Sequence, residues 1–156
     1  MNSFTKEEYN KWLVNQKNKE LNRKMIEWCP FLMPRNRWTG EISADFNYDH
    51  NEMTAMPLGW AKAFGYEMLT ELRDALVAAE CLDKYYITQI KEKFGSLRWY
   101  DLGAPESVRD IITKYCHKSE LYCISCGEPA TITTEGWIQH LCDACAGIES
   151  CSTCSF

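Results

Sequence analysis

Two matched pairs of cysteines constrain the fold of this chain more than any other feature of its sequence. Cys123 and Cys126 form one CxxC knuckle, and Cys142 and Cys145 form a second knuckle after an interval of 15 residues, 127–141. Each knuckle turns two thiolates towards one point, and this spacing is typical of a tetrahedral zinc site with four sulfur ligands. We therefore predict about one Zn²⁺ per chain, bound by these four residues in a C-terminal zinc ribbon-like module.

The predicted metal has a structural role. Four cysteines close the coordination shell, whereas a catalytic zinc needs an open position and a nearby base. The segment 130–141 is expected to form a hairpin about Glu135 and Gly136 that brings the knuckles together. His140 is the nearest candidate base, and we expect it to be a solvated or hydrogen-bonded strand residue of that hairpin. The alternative for the cysteines is a set of buried or redox-active thiols.

The charge of the C-terminal module argues against a nucleic-acid finger. The chain carries 17 Lys and Arg against 22 Asp and Glu, a net charge of -5. Residues 119–156 contain no Lys or Arg, and a zinc ion bound by four thiolates adds a further formal charge of about -2, so this surface repels phosphate. Its acidic residues are Glu120, Glu128, Glu135, Asp143 and Glu149. We predict a scaffold or a protein contact.

The chain has nine cysteines, which is many for 156 residues. In a reducing compartment they act as thiols or metal ligands rather than as a disulfide framework. A third CxxC, Cys151 and Cys154, either forms a frayed tail or completes a second metal site with Cys116 and His117.

We expect a protein without membrane contact that resides in the cytoplasm. Its N-terminus lacks the apolar segment of a secretory signal, and no run approaches the roughly 18 apolar residues that span a bilayer. Hydrophobic residues make up 46% of the chain and charged residues 25%, which is typical of a globular domain.

Apolar periodicity predicts an α+β fold, in which a hairpin or small antiparallel sheet is packed by two to three helices. Thr5 and Glu8 form a capping-box pattern ahead of one long helix over 5–27. The expected units are an N-terminal helix (1–28), an α+β core (29–120) and a zinc-binding module with a Cys-rich tail (121–156). Within the core we expect a long loop (30–58) with one short strand near 42–48, a central helix (59–81), a hairpin (85–102) and a last helix (105–119).

The hairpin is the second candidate site. With Gly95 and Ser96 as a type II′ turn, Lys93 faces Arg98. Alternation places Ile90, Phe94, Leu97 and Trp99 on the helices, and it leaves a polar face of Gln89, Lys91, Lys93, Arg98 and Tyr100. This face binds an anionic ligand or an acidic partner, or it is a solvated face neutralised by Asp101 or Glu92.

A weaker cluster lies in the loop 45–52. Its members could hold a divalent ion or serve in hydrolysis, although polar loop residues explain them as well; they are Asp45, Asp49, His50 and Glu52. The sequence contains no nucleophile elbow, P-loop or dinucleotide-binding glycine motif, and we expect a binding protein rather than an enzyme.

The segment 89–100, QIKEKFGSLRWY, precedes a helix and the two knuckles. In this it resembles an uncharacterised family of bacteriophage and prophage proteins with a Q-[IV]-K-E-K-F-G-x-L-R-[FWY]-Y hairpin, over roughly residues 58–146. The resemblance implies a phage accessory protein that binds a host or phage protein stoichiometrically and so counteracts host defence. The alternatives are a nucleotide or nucleic-acid binder that uses the basic hairpin face, and a hydrolase built on the acidic loop.

Overall fold

The computed structural model describes residues 3–147, and its fold is α+β. The helices are α1 (Lys6–Val14), α2 (Lys19–Trp28), α3 (Leu58–Trp60), α4 (Tyr66–Ala78) and α5 (Glu106–Ser119). The strands are β1 (Tyr86–Lys93), β2 (Ser96–Leu102), β3 (Ile132–Thr133) and β4 (His140–Leu141), and they pair as two antiparallel hairpins, β1 with β2 and β3 with β4. Short 3₁₀ helices span Pro30–Leu32 and Glu52–Ala55, and a π-helical segment, Ala61–Gly65, joins α3 to α4.

The prediction of one helix over 5–27 is wrong, because the chain turns between α1 and α2. Asn18 caps α2 with its side chain. The buried Asn22 fixes the turn, since its Oδ1 accepts from Trp12 Nε1 at 2.8 Å and its Nδ2 donates to the Gln16 carbonyl at 3.0 Å. The polar run in the middle of the expected helix is therefore the connection between two antiparallel packed segments, because Asn side chains favour caps and turns over helix interiors.

The long loop after α2 contains no strand near 42–48. Polar side chains hold it instead: Asn22 Nδ2 donates to the Tyr48 carbonyl at 2.9 Å, and Asn51 Nδ2 donates to Asn22 Oδ1 at 2.7 Å. Tyr48 itself has a φ of 63°, which is incompatible with an extended strand. The loop is ordered through side-chain hydrogen bonds rather than through sheet pairing.

The central helix forms where periodicity predicts it, as the continuous run of α3, the π-helical segment and α4. Gly65 ends the π-helical segment, and a Cβ atom there would lie 2.1 Å from the hydroxyl of Tyr9. That buried hydroxyl donates to the Ala61 carbonyl at 2.6 Å. One hydrophobic core surrounds this helix and takes side chains from the N-terminal helices, the central helix, the hairpin and α5, among them Tyr9, Trp12, Met25, Trp60, Phe64, Leu69, Leu72, Ile87, Leu97 and Val108.

The hairpin of β1 and β2 forms, but its predicted register is wrong. Phe94 and Gly95 are the central turn residues, with φ values of 54° and 83°, and positive φ at both positions is the requirement of a type I′ turn. Lys91 therefore faces Arg98, and Lys93 faces Ser96. From Gln89 to Lys93 each partner moves by two positions, which leaves the membership of the two faces unchanged except at Phe94, which is exposed instead of packed on the helices.

One local and one tertiary hydrogen bond support this register. The Glu92 carboxylate accepts from the Gly95 N–H at 2.8 Å, and the Leu97 N–H donates to Ser119 Oγ on α5 at 2.9 Å. Both hydrogen bonds satisfy backbone donors that the β1/β2 ladder leaves unpaired.

Candidate functional site

The four cysteines of the two knuckles converge on one point. The Sγ atoms of Cys123, Cys126, Cys142 and Cys145 all lie within 4.8 Å of one another. Cys126 Sγ and Cys142 Sγ are 3.7 Å apart. A tetrahedral ion with metal–sulfur bonds of about 2.3 Å requires sulfur–sulfur edges of about 3.8 Å. The cluster has the size and the ligand chemistry to hold one metal ion.

Local backbone geometry shapes each knuckle. The Gly127 N–H donates to the Cys123 carbonyl at 2.9 Å, and Gly127 adopts a φ of 84°, which a side chain would disfavour. In the second knuckle the Cys145 N–H points at Cys142 Sγ, at 3.4 Å. Amide donors directed at sulfur stabilise the thiolate form that a metal requires.

The β3/β4 hairpin between the knuckles lies where the sequence predicts it. Ile132 pairs with Leu141 and Thr133 with His140, and the Glu135–Gly136 step lies in the loop between the strands. His140 is half-buried, and its Nδ1 is 2.9 Å from Thr133 Oγ1, which confirms it as a hydrogen-bonded strand residue.

The first knuckle is docked on the N-terminus of the central helix. Pro57 precedes this helix and supplies no side-chain cap, and the Gly59 N–H donates instead to the Ile124 carbonyl at 2.9 Å. A Cβ atom at position 59 would lie 2.2 Å from the Cys123 carbonyl oxygen. The knuckle thus caps the helix, and it brings thiolate charge towards the positive end of the helix dipole.

The basic hairpin face keeps the predicted membership: Gln89, Lys91 and Lys93 from β1, and Arg98 and Tyr100 from β2. Lys91 stands directly opposite Arg98, and its Nζ lies 5.6 Å from the centre of the Tyr100 ring. Like charges that face each other across a ladder are destabilising unless an anion or a carboxylate lies between them.

The two carboxylates expected to neutralise this face make other bonds. Asp101 accepts from the Tyr85 hydroxyl at 2.6 Å, burial raises the pKa of Asp101, and Glu92 is hydrogen-bonded to the turn. Within residues 3–147, neither Lys91 nor Lys93 forms an ion pair, and the same holds for Arg98. This face therefore carries positive charge that the described chain does not compensate.

The structure divides the basic face between separate depressions. A cleft of about 340 Å³ combines Gln89, Lys91 and Tyr100 with Arg37 from the long loop, beside a β-bulge at Thr88. Sequence reasoning missed Arg37, because only the folded loop brings it next to β1.

Arg98 and Lys93 point to two further depressions. Arg98 lines a cleft of about 440 Å³ beside α5, together with Cys116, His117 and Glu120. Burial raises the pKa of the Cys116 thiol to about 11, which disfavours a reactive thiolate there. Lys93 lines a third groove near the hairpin turn. The proposed second metal site of Cys116 and His117 would need Cys151 and Cys154, which lie outside the described residues.

The acidic loop does not converge on a metal site. His50 Nδ1 is 2.6 Å from Asp49 Oδ1, and this hydrogen bond lowers the pKa of Asp49. Burial raises the pKa of Glu52 to about 7, and Asp45 is exposed. Among residues 3–147, the four cysteines form the one cluster of three or more potential metal ligands.

No helix among the described residues is both long enough and apolar enough to cross a bilayer. Comparisons of this chain with protein-family models, with curated proteins and with solved structures find no match.

Proposed function

We propose that the protein is a zinc-stabilised binding protein that acts stoichiometrically on another protein. The four-sulfur cluster, with its 3.7 Å edge, carries the zinc part of this proposal. Cysteine thiolates in a tetrahedral arrangement suit Zn²⁺, and a shell of four thiolates leaves no position for a substrate or an attacking water. The role of the zinc is therefore to hold the module in shape.

The module needs such support because its own core is small. Beyond the cysteines, its buried cluster contains Leu141, with Ile124, Ala144 and Ala146 packed against it. Structural zinc sites contribute an apparent 10 kcal/mol or more at neutral pH, which exceeds what so few apolar side chains supply. Zinc also fixes the knuckle that caps the central helix.

Exposed aromatic side chains support a protein partner. Trp38, Phe94 and Trp137 are all largely solvent-accessible, and aromatic residues are enriched in protein interfaces. The resemblance of the hairpin motif to phage and prophage proteins supports a partner in the cytoplasm of an infected bacterium, either a host defence protein or another phage protein.

Native mass spectrometry of the tagged protein, purified from bacteria under infection, tests both parts of this proposal. We expect one zinc ion per chain and a complex with one partner protein at a constant ratio. Cys142→Ser should lose the zinc, and Cys81→Ser, which removes a half-buried thiol outside the cluster, should retain it. A folded, metal-free protein would contradict the zinc assignment, and purification without any stoichiometric partner would contradict the binding role.

A second candidate function is the binding of a small anion, and the cleft of Arg37 and Lys91 favours it. Its volume of about 340 Å³ falls in the range of small-molecule sites. Two cations, the Gln89 amide and the Tyr100 hydroxyl offer charge-assisted hydrogen bonds to a phosphate or a carboxylate. Asp101 is the carboxylate of the lining, and it accepts a hydrogen bond from the Tyr85 hydroxyl. A nucleotide is the ligand class that this chemistry suits.

Substitution of Lys91 separates this function from a structural role of the cleft. We expect Lys91→Ala to weaken ATP binding about tenfold or more in calorimetry, while stability changes by no more than about 0.5 kcal/mol, because one of two opposed like charges is removed. Lys84→Ala, at an exposed lysine just before β1, is the control. Reduced stability with unchanged ATP affinity would end this candidate.

Duplex DNA should bind weakly to the same face. The dependence of its affinity on salt concentration should correspond to only about three phosphate contacts.

A further inference from the structure

The turn of the β1/β2 hairpin lies against the hairpin of the four-cysteine module. A Cβ atom at Gly95 would lie 3.0 Å from His140 Nε2 and 3.1 Å from Ile138 Cγ2. Two segments that are far apart in sequence thus meet at their tips. The metal cluster lies at the base of one of them.

A groove of about 260 Å³ opens between these tips. Its walls are Phe94 and Lys93 on one side and Trp137 and Ile138 on the other, with Glu92 and Gly136 completing the lining. The Phe94 side chain is 67% exposed and that of Trp137 is 75% exposed. Large aromatic side chains that flank a depression while remaining open to water are typical of contact surfaces for other proteins.

The backbone at Phe94 gives an independent reason to assign a role to this groove. Phe94 has a φ of 54° in the type I′ turn, a position where Asn, Asp or Gly is strongly preferred. A bulky residue in the left-handed region is a true outlier, and such strain concentrates at functional sites. Folding alone does not require Phe94, since its ring is mostly solvated.

The hairpin side of the groove favours an acidic occupant, because its cations have no ion-pair partner among the described residues, while the opposite wall, 136–138, is uncharged. Lys93 is the cation of the lining, its Nζ lies 5.5 Å from the Phe94 ring centre, and it has no ion pair within residues 3–147. The carboxylate of the lining, Glu92, is hydrogen-bonded to the Gly95 N–H. Lys91 and Arg98 lie on the same hairpin face but line other depressions, and they add to the positive potential of that face without contacting the groove.

We propose that this groove docks an acidic segment of a partner protein, which inserts one large apolar side chain between Phe94 and Trp137 and places carboxylates near Lys93. The inference rests on the proposed function and assigns its contact surface. A volume of about 260 Å³ lies below the range of small-molecule sites, and it suits a single side chain better than a nucleotide.

Selection from a displayed library of random twelve-residue peptides tests this inference. Peptides are captured on the zinc-loaded protein and depleted on the double variant Phe94→Asn, Trp137→Ser. We expect the retained peptides to be acidic and to contain one Leu, Ile, Phe or Trp. A synthetic copy should bind in fluorescence anisotropy, and replacing its apolar residue by Ala should abolish binding.

Single variants then separate binding from folding. Phe94→Asn should weaken peptide binding about tenfold or more. It should also raise the melting temperature of the protein by about 2 °C, because Asn tolerates positive φ. Lys93→Glu should weaken peptide binding severalfold and make the affinity less dependent on salt concentration, whereas Lys84→Glu should change neither. Trp38→Ser, which removes an exposed tryptophan from the long loop, should leave the affinity unchanged.

Several results would overturn the inference. The inference is wrong if the retained peptides are basic, or if the binding of the retained peptides does not depend on Phe94 and Trp137. A dimer that dissociates in the double variant would assign the groove to a second copy of the chain, and binding of an oligothymidylate that the double variant loses would assign it to single-stranded nucleic acid. Copurification of the native partner tests the proposed function separately. If the partner copurifies with the double variant as well as with the parent protein, the binding function stands and the groove is not its contact surface.

Discussion

Cys142→Ser is expected to release the metal and to unfold the C-terminal module. Cys142 is buried and its sulfur forms the 3.7 Å edge with Cys126, so its loss opens the cluster. Because a structural zinc ion contributes on the order of 10 kcal/mol to the folding of such a module, three remaining ligands and a small apolar cluster should not hold it. Hydrogen exchange should show loss of amide protection throughout 123–145.

The effect should extend to the central helix. When the first knuckle unfolds, the Gly59 N–H loses the Ile124 carbonyl as its acceptor. We expect the global free energy of unfolding to fall by about 1–3 kcal/mol, because the helix loses this capping hydrogen bond to water and also loses the packing of the knuckle on Gly59. A chelator should reproduce both effects in the parent protein. Full protection of 123–145 in metal-free protein would refute the structural role of the metal.

Gly59→Ala is expected to give the second large loss, through a clash that no side-chain rotation relieves. The new Cβ would lie 2.2 Å from the Cys123 oxygen and 2.4 Å from the Ile124 oxygen, and both are backbone atoms. Alanine gains about 1 kcal/mol over glycine in helix propensity, but separating the knuckle from the helix outweighs it. We expect stability to fall by about 3 kcal/mol or more.

Gly65→Ala is the matched comparison on the same helix. Its clash is with the Tyr9 hydroxyl, within the main core. Both variants should lower the midpoint of chemical unfolding, but only Gly59→Ala should speed the transfer of zinc to a competing chelator, because it separates the knuckle from its support. Equal transfer rates for the two variants would mean that docking on Gly59 does not stabilise the metal site.

Sequence alone determined the features that depend on short-range patterns. The metal cluster is predictable because a CxxC knuckle turns its two sulfurs inward through its own backbone, and the long apolar period predicts the central helix. The Thr5 capping box starts α1 where expected, since both of its hydrogen bonds span only three residues.

Tertiary structure decided the local conformation wherever a long-range contact competes with a local preference. The break between α1 and α2 depends on Asn22, which reaches Trp12 and the Tyr48 carbonyl, and no local signal distinguishes it from other polar residues of a helix. Gly95 suits either position of a two-residue turn, and the bond from the Leu97 N–H to Ser119 selects one register. Arg37 joins Lys91, and Trp137 joins Phe94, only after distant segments pack, because the free energy of that packing comes from the whole core rather than from the residues that it brings together.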